Sequence, residues 1–127
     1  EEAKEISRAF ILDFDLHFGD GTSNIFEGTQ IVYFQPGAGE RQSFLKEIKE
    51  RLEIEKGYHV LAVSAGFDRH EEDWGQMLKT DDYRIIGKLV KDASQNICQG
   101  RRFALLEGGY NYRVLGKNVK AFLEALK

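Results

Sequence analysis

The chain has 127 residues, 42% hydrophobic and 31% charged, with 18 basic and 21 acidic side chains and a formal charge of −3. That length fits one domain able to bury about two-thirds of its unfolded surface, the charge leaves no basic stripe for nucleic acid, and no apolar run approaches the roughly 18 residues of a membrane span. Cys98 is the single cysteine, so no internal disulfide can form and a reducing, cytoplasmic setting is expected.

The opening Glu1-Glu2-Ala3-Lys4 has neither a methionine nor a signal-like apolar stretch and reads as a processing boundary. Ala9, Phe10, Ile11 and Leu12 form a near-continuous apolar run of the kind buried on both faces of a parallel sheet, which predicts a strand over residues 8–15. Ile31–Phe34, Val60–Ala65 and residues 103–106 predict three more. Phe44, Leu45, Ile48 and Leu52 make one helical stripe; Ile86, Leu89, Val90, Ala93 and Ile97 make a second, which takes in Cys98 as ordinary packing. Leu115, Val119, Phe122, Leu123 and Leu126 make the third. Thr80 before Asp81 and Asp82 predicts a helix start, with a hydroxyl cap and two carboxylates at the positive end of the dipole. Gly57 and Gly100 are expected as left-handed C-caps. Strands alternating with helices predict a parallel sheet in an α/β fold with three α/β/α layers, one domain over residues 1–127.

Such sheets bind ligands beyond the carboxyl ends of their strands. The first run leads into Asp13, Asp15 and His17, followed by Phe18-Gly19-Asp20-Gly21-Thr22. The third, Val60–Ala65, ends in Ser64-Ala65-Gly66-Phe67-Asp68, and the last in Leu106-Glu107-Gly108-Gly109-Tyr110-Asn111. Two aspartates and a histidine offer three ligands to a divalent ion and leave a fourth position for water or substrate, as in catalytic zinc sites. The ion would polarise a carbonyl and acidify water. A period of two puts Asp13, Asp15 and His17 on one side of an extended chain, although Asp13 could orient the ligands instead of joining them. Tyr110, on a glycine-rich turn, could donate a hydrogen bond to an oxyanion. Taken singly, each motif is ordinary, since Asp-x-His commonly makes a turn or cap. His59, His70 and Trp74 read as packing, and Glu71, Glu72 and Asp73 as a solvated loop.

Together the three motifs resemble the histone deacetylase family, which includes acetylpolyamine amidohydrolases and acetoin-utilisation proteins, over residues 8–126. The resemblance implies part of an arginase/deacetylase-like fold, with Asp15, His17 and Asp68 as ligands to zinc or another divalent metal and Tyr110 as the catalytic oxyanion stabiliser. It also implies a potassium ion beneath the zinc site, held through the Asp13, Asp15 and His17 segment and its main-chain oxygens; Asp13 is the candidate contact. The family domain is longer, and its N-terminal half contributes a tandem-histidine general base, the aspartates that orient it, and much of an acyl-lysine channel. With only His17, His59 and His70, this chain has no adjacent histidine pair. Phe18 stands where many relatives have a second histidine, a position that is not a zinc ligand. Residues 35–40 are shorter than the matching region of many relatives and lack an aromatic-rich loop.

These features predict the C-terminal half of a zinc-dependent deacetylase acting on acetyl amides such as acetyl-lysine or acetylpolyamine. It should be inactive alone, because a general base is worth about 10²–10⁴ in rate. The alternative is a non-catalytic metal-binding or self-associating half-domain module. A ureohydrolase of the related arginase fold ranks lower, because Phe67-Asp68-Arg69-His70 lacks a second aspartate two residues after Asp68. Expected partners are an acetylated small molecule or acetyl-lysine protein for the parent, together with the missing N-terminal half or a second copy, which would cover an exposed strand edge and apolar surface. Neither nucleic acid nor membrane is expected.

Overall fold

The computed structural model describes residues 6–127. The boundary expected at Glu1-Glu2-Ala3-Lys4 lies outside the described residues. The elements run β1 (Ala9–Asp13), α1 (Asp20–Phe26), β2 (Ile31–Phe34), α2 (Arg41–Ile54), β3 (Val60–Ala65), α3 (Thr80–Cys98), β4 (Arg102–Leu106) and α4 (Tyr112–Leu126). The four strands form one parallel sheet in the order β2-β1-β3-β4. β1 and β3, flanked on both sides, are the two most buried strands, as their unbroken apolar runs require.

Alternate strand residues divide the two faces. Phe10, Leu12, Leu61, Val63 and Ala65 point toward the helices and share one core with Phe44, Ile48 and Leu52 of α2, Tyr83, Ile86 and Val90 of α3, and Phe122 of α4. The sheet and α2–α4 thus supply two layers of an α/β/α arrangement. On the other face of β4, Phe103 and Leu105 remain 48% and 59% exposed. The core is rich in aromatic edge contacts, with Phe14 against Phe67 and Phe122 at centroid distances of 5.7 and 5.4 Å.

Local chemistry moves several boundaries. β1 stops at Asp13 rather than at residue 15, because the Asp13 carboxylate accepts from the Asp15 N–H at 2.9 Å and the Asp15 carboxylate from the His17 N–H at 2.7 Å. Two successive Asx-type turns bend the chain out of the ladder. Thr80 is the first helical residue of α3, not its cap. The Asp82 carboxylate accepts from the Lys79 N–H at 2.7 Å, while the Thr80 hydroxyl donates to Asn118 on α4. α2 ends before Gly57, whose φ of +76° serves the turn into β3 instead. Gln99 takes the left-handed cap position of α3 at φ 57°, and Gly100 follows in the same region. Short helix α1 was not foreseen. Leu123, placed in the apolar stripe of α4, is 45% exposed, since the buried side of that helix runs through Val114, Asn118, Ala121 and Phe122.

Candidate metal centre

Three strand ends meet at one rim. Asp15 and His17 follow β1, Asp68 follows β3 by three residues, and Tyr110 follows β4 by four. One ligand atom each from Asp15, His17 and Asp68 lie within 4.8 Å of one another. His17 Nδ1 is 3.1 Å from Asp68 Oδ2 and 3.3 Å from Asp15 Oδ1. Asp15 and His17 border a cleft of about 410 Å³ lined also by Asp13, Phe18, Gly108 and Tyr110.

Glycines make this approach possible. A Cβ on Gly66 would overlap the Asp15 carboxylate, and one on Gly108 would lie 2.5 Å from Asp15 Oδ2 and 2.8 Å from Asp68 Oδ2. Their bare backbones let the two carboxylates converge, and the Gly108 N–H donates to Asp15 Oδ2 at 2.8 Å. Asp68 is fully buried, with Oδ1 accepting from the Leu16 N–H at 2.9 Å. Its Oδ2 has no hydrogen-bond donor, even though His17 Nδ1 is close. The two atoms approach a shared point without forming a hydrogen bond. Burial, foremost, raises the Asp68 pKa. A buried carboxylate oxygen without a donor is costly, and a divalent cation held with Asp15 and His17 would satisfy it. The donor set therefore fits such an ion.

Tyr110 stands at the mouth, 50% exposed. Its ring stacks on Trp74 at 4.0 Å and 18°, and both rings meet His17 edge-on at 6.4 and 5.8 Å. Asp73 holds the turn that carries it. One Asp73 oxygen accepts from the Tyr110 and Asn111 N–H groups at 2.9 and 2.8 Å, the other from the Trp74 N–H at 2.7 Å. Burial alone would raise the Asp73 pKa, but these three donors outweigh it and the value is lowered. Asp73 is thus a buried brace rather than part of a solvated loop, and Trp74 is 62% exposed beside the cleft rather than packed in the core. His70 is 1% exposed and turned away, its Nδ1 accepting from the Glu72 N–H. His59 sits at the start of β3 among Ser7, Arg8 and Arg101.

Beneath the cluster, Asp13, the candidate contact named above, is joined by Tyr33, Gln35 and Arg69, which the sequence did not single out. Asp13, 3% exposed, accepts from the Tyr33 hydroxyl at 2.5 Å as well as from the Asp15 N–H; burial raises its pKa. The Gln35 side-chain amide donates to the main-chain oxygens of Asp15 and His17 at 3.0 and 2.9 Å. Arg69 Nε is shared between the main-chain oxygens of Phe14 and Asp15 at 3.1 and 3.2 Å, with its guanidinium 4.5 Å from the centre of the Phe44 ring. Burial pushes the Arg69 pKa down, while Asp68, Asp15 and Asp13 oppose that shift. The only advance signal for these side chains was their position: Gln35 directly follows a strand, and Arg69 directly follows a candidate ligand.

Comparison with known proteins finds the histone deacetylase domain family matching residues 35–126. The chain is 28% identical to type-2 histone deacetylase 2 of Dictyostelium discoideum, over 93% of its own length and 10% of that protein. It is also 28% identical to the chloroplastic histone deacetylase 14 of Arabidopsis thaliana, over 95% of this chain and 37% of that one. A probable deacetylase of Methanothermobacter thermautotrophicus is similar at 28% identity, over 95% and 46%. The chain thus spans less than half the length of these relatives. These three alignments run over 157–169 residues, so the relatives carry residues inside the matched span that this chain lacks. Among solved structures, the HDA15 HD domain superposes with a TM-score of 0.73 at 22% identity, covering 95% of this chain and 44% of that one. Another solved histone deacetylase superposes at 0.76 and 21% identity, covering 95% and 27%. The shared fold is the arginase/deacetylase one.

Proposed function

The chain belongs to the histone deacetylase family, and on that premise we propose that it forms the metal-holding portion of a zinc-dependent deacetylase domain. The observation that carries this reading is the convergence of Asp15, His17 and Asp68, with Asp68 Oδ2 buried and lacking a donor. Bound there, zinc or another divalent ion would polarise an acetyl amide carbonyl and acidify a water. The chain's own residues prepare that role. Gly108 and His17 N–H groups aim Asp15, and the Leu16 N–H aims Asp68. The Asp73 brace and the Trp74 stack orient Tyr110, whose phenol donates to the developing oxyanion. Partial desolvation, with the Asp68, Asp15 and Asp73 carboxylates nearby, raises the Tyr110 pKa, so the phenol keeps its proton at neutral pH.

Proton transfer from water must come from elsewhere. The three histidines include no adjacent pair, and His70 faces away from the cleft. Hydrolysis by this chain alone is accordingly slower by about 10²–10⁴ than with a complete domain. The substrate of the complete domain is an acetylated small molecule or an acetyl-lysine protein. Among the described residues no helix is long and apolar enough to cross a membrane; the proposal of a cytoplasmic setting rests instead on Cys98 being the single cysteine. A second reading, a non-catalytic metal-binding module, draws on the exposed Phe103 and Leu105 as a surface for another chain.

Two measurements test the proposal. Metal analysis should find one zinc per chain, lost in Asp68→Ala; unchanged metal content in that variant would remove the ligand assignment. Supplying the N-terminal portion of a family domain with paired histidines should restore cleavage of an acetyl-lysine reporter. Full metal occupancy with no restored cleavage would favour the module.

A further inference from the structure

The family resemblance implies a monovalent cation under the zinc site, touching Asp13 and the main-chain oxygens of Asp15 and His17. The residues present do not fit one. An ion bridging the Asp15 and His17 carbonyls would need the place taken by Gln35 Nε2, which already lies 3.0 and 2.9 Å from those two oxygens. A carbonyl oxygen has two lone pairs, and both on Asp15 are engaged, one by Gln35 and one by Arg69 at 3.2 Å. Each Asp13 carboxylate oxygen already accepts one hydrogen bond, from the Asp15 N–H and from the Tyr33 hydroxyl, so Asp13 is held within the protein's own network. An ion gathering the Asp15 and His17 oxygens would have to displace Gln35 Nε2 and break both of its hydrogen bonds.

Charge gives an independent argument. Asp13, Asp15 and Asp68 place three carboxylates in a small buried volume, which calls for a compensating cation. Arg69 is 7% exposed and, among the described residues, forms no ion pair within 4 Å. Its guanidinium cannot be deprotonated at physiological pH. It is a fixed positive charge in the neighbourhood of those three acids, held by the main-chain oxygens of Phe14 and Asp15.

We propose that Gln35 and Arg69 together replace the monovalent cation, making the floor of this metal centre independent of potassium. The amide bridges the Asp15 and His17 carbonyls, and the guanidinium supplies the unit charge. This inference rests on the family membership but not on zinc occupancy, so it can fail or stand separately from the proposed activity.

The test is thermal unfolding of the full metal-free chain in potassium, sodium and choline chlorides at equal ionic strength, with thallium(I) titration calorimetry as a direct probe of a potassium-type site. The expected result is one melting temperature in all three salts and no saturable thallium binding. A site filled at a hundredfold excess over its Kd would instead raise the melting temperature by about 10 °C; such a rise specific to potassium, or stoichiometric thallium uptake, would overturn the proposal. Gln35→Ala vacates the bridging position and should gain a potassium-dependent rise. A folded Gln35→Ala chain without that gain would overturn the role of Gln35. If the variant does not fold, the native chain's salt response decides alone. Zinc content, measured in parallel, reports separately on the ligand assignment.

Discussion

At the scale of single residues, the site depends on side chains that do not touch the metal. Asp73 is the clearest case, since its two oxygens gather three backbone N–H groups and thereby fix both aromatic rings at the cleft mouth. Hydrogen bonds to a charged group are worth about 1.5–3 kcal/mol each at most, and Asp73→Ala should cost about 2–3 kcal/mol overall by the same reasoning. The pH dependence has a definite sign. Because the folded pKa of Asp73 is lowered, its stabilisation is complete above the unfolded carboxylate value near 4 and is lost as pH falls through the depressed value. Acid titration followed by emission of Trp74, the single tryptophan, should report this loss in the native chain and not in Asp73→Ala. Identical acid profiles would rule out Asp73 as the brace.

At the scale of elements, α3 organises the helical layer. Gly87 faces α4 so closely that an added Cβ would lie 2.5 Å from the Phe122 carbonyl oxygen and 3.1 Å from the Ala125 Cβ. Gly87→Ala should therefore destabilise by about 1–3 kcal/mol through overpacking, despite the better helix propensity of alanine. A lowered urea midpoint would show it, and an unchanged or raised one would mean the helices can separate at little cost. On its other side, α3 is tied to α2 by Arg41, whose guanidinium makes a two-pronged contact with buried Asp82 at 2.7 and 2.8 Å.

How much of this was legible beforehand follows from the range of the interactions involved. Strands β1–β4 announce themselves as apolar runs, and the residues just beyond β1, β3 and β4 could be marked as site candidates because a parallel sheet puts those ends on one rim. Interactions across the fold were not legible. Asp82 reads as a helix-dipole carboxylate, yet it also closes the cap and anchors Arg41 from 41 residues away. Asp73 reads as loop acid because its partners, Tyr110 and Asn111, lie 37 and 38 residues on. Gln35 and Arg69 act on main-chain oxygens, which leave no trace in side-chain patterns.

At the scale of the whole molecule, β4 is an edge strand carrying Phe103 and Leu105 on a face that α2–α4 do not cover, with Leu106 64% exposed at its end. An unprotected edge beside apolar side chains favours association. The isolated chain should be a dimer or larger in solution, and sedimentation showing a concentration-independent monomer would count against that. Addition of the remaining part of a family domain should compete with the self-association.

The ligand atoms come from segments 51 residues apart, between His17 and Asp68, that belong to different crossover units of the sheet. An ion gripping them would act as a clasp between parts of the chain that otherwise meet only through strand pairing and packing. Its apparent affinity would then contain a share of the folding equilibrium itself, tightening in any change that stiffens the sheet and loosening in any that frays it, with no ligand altered.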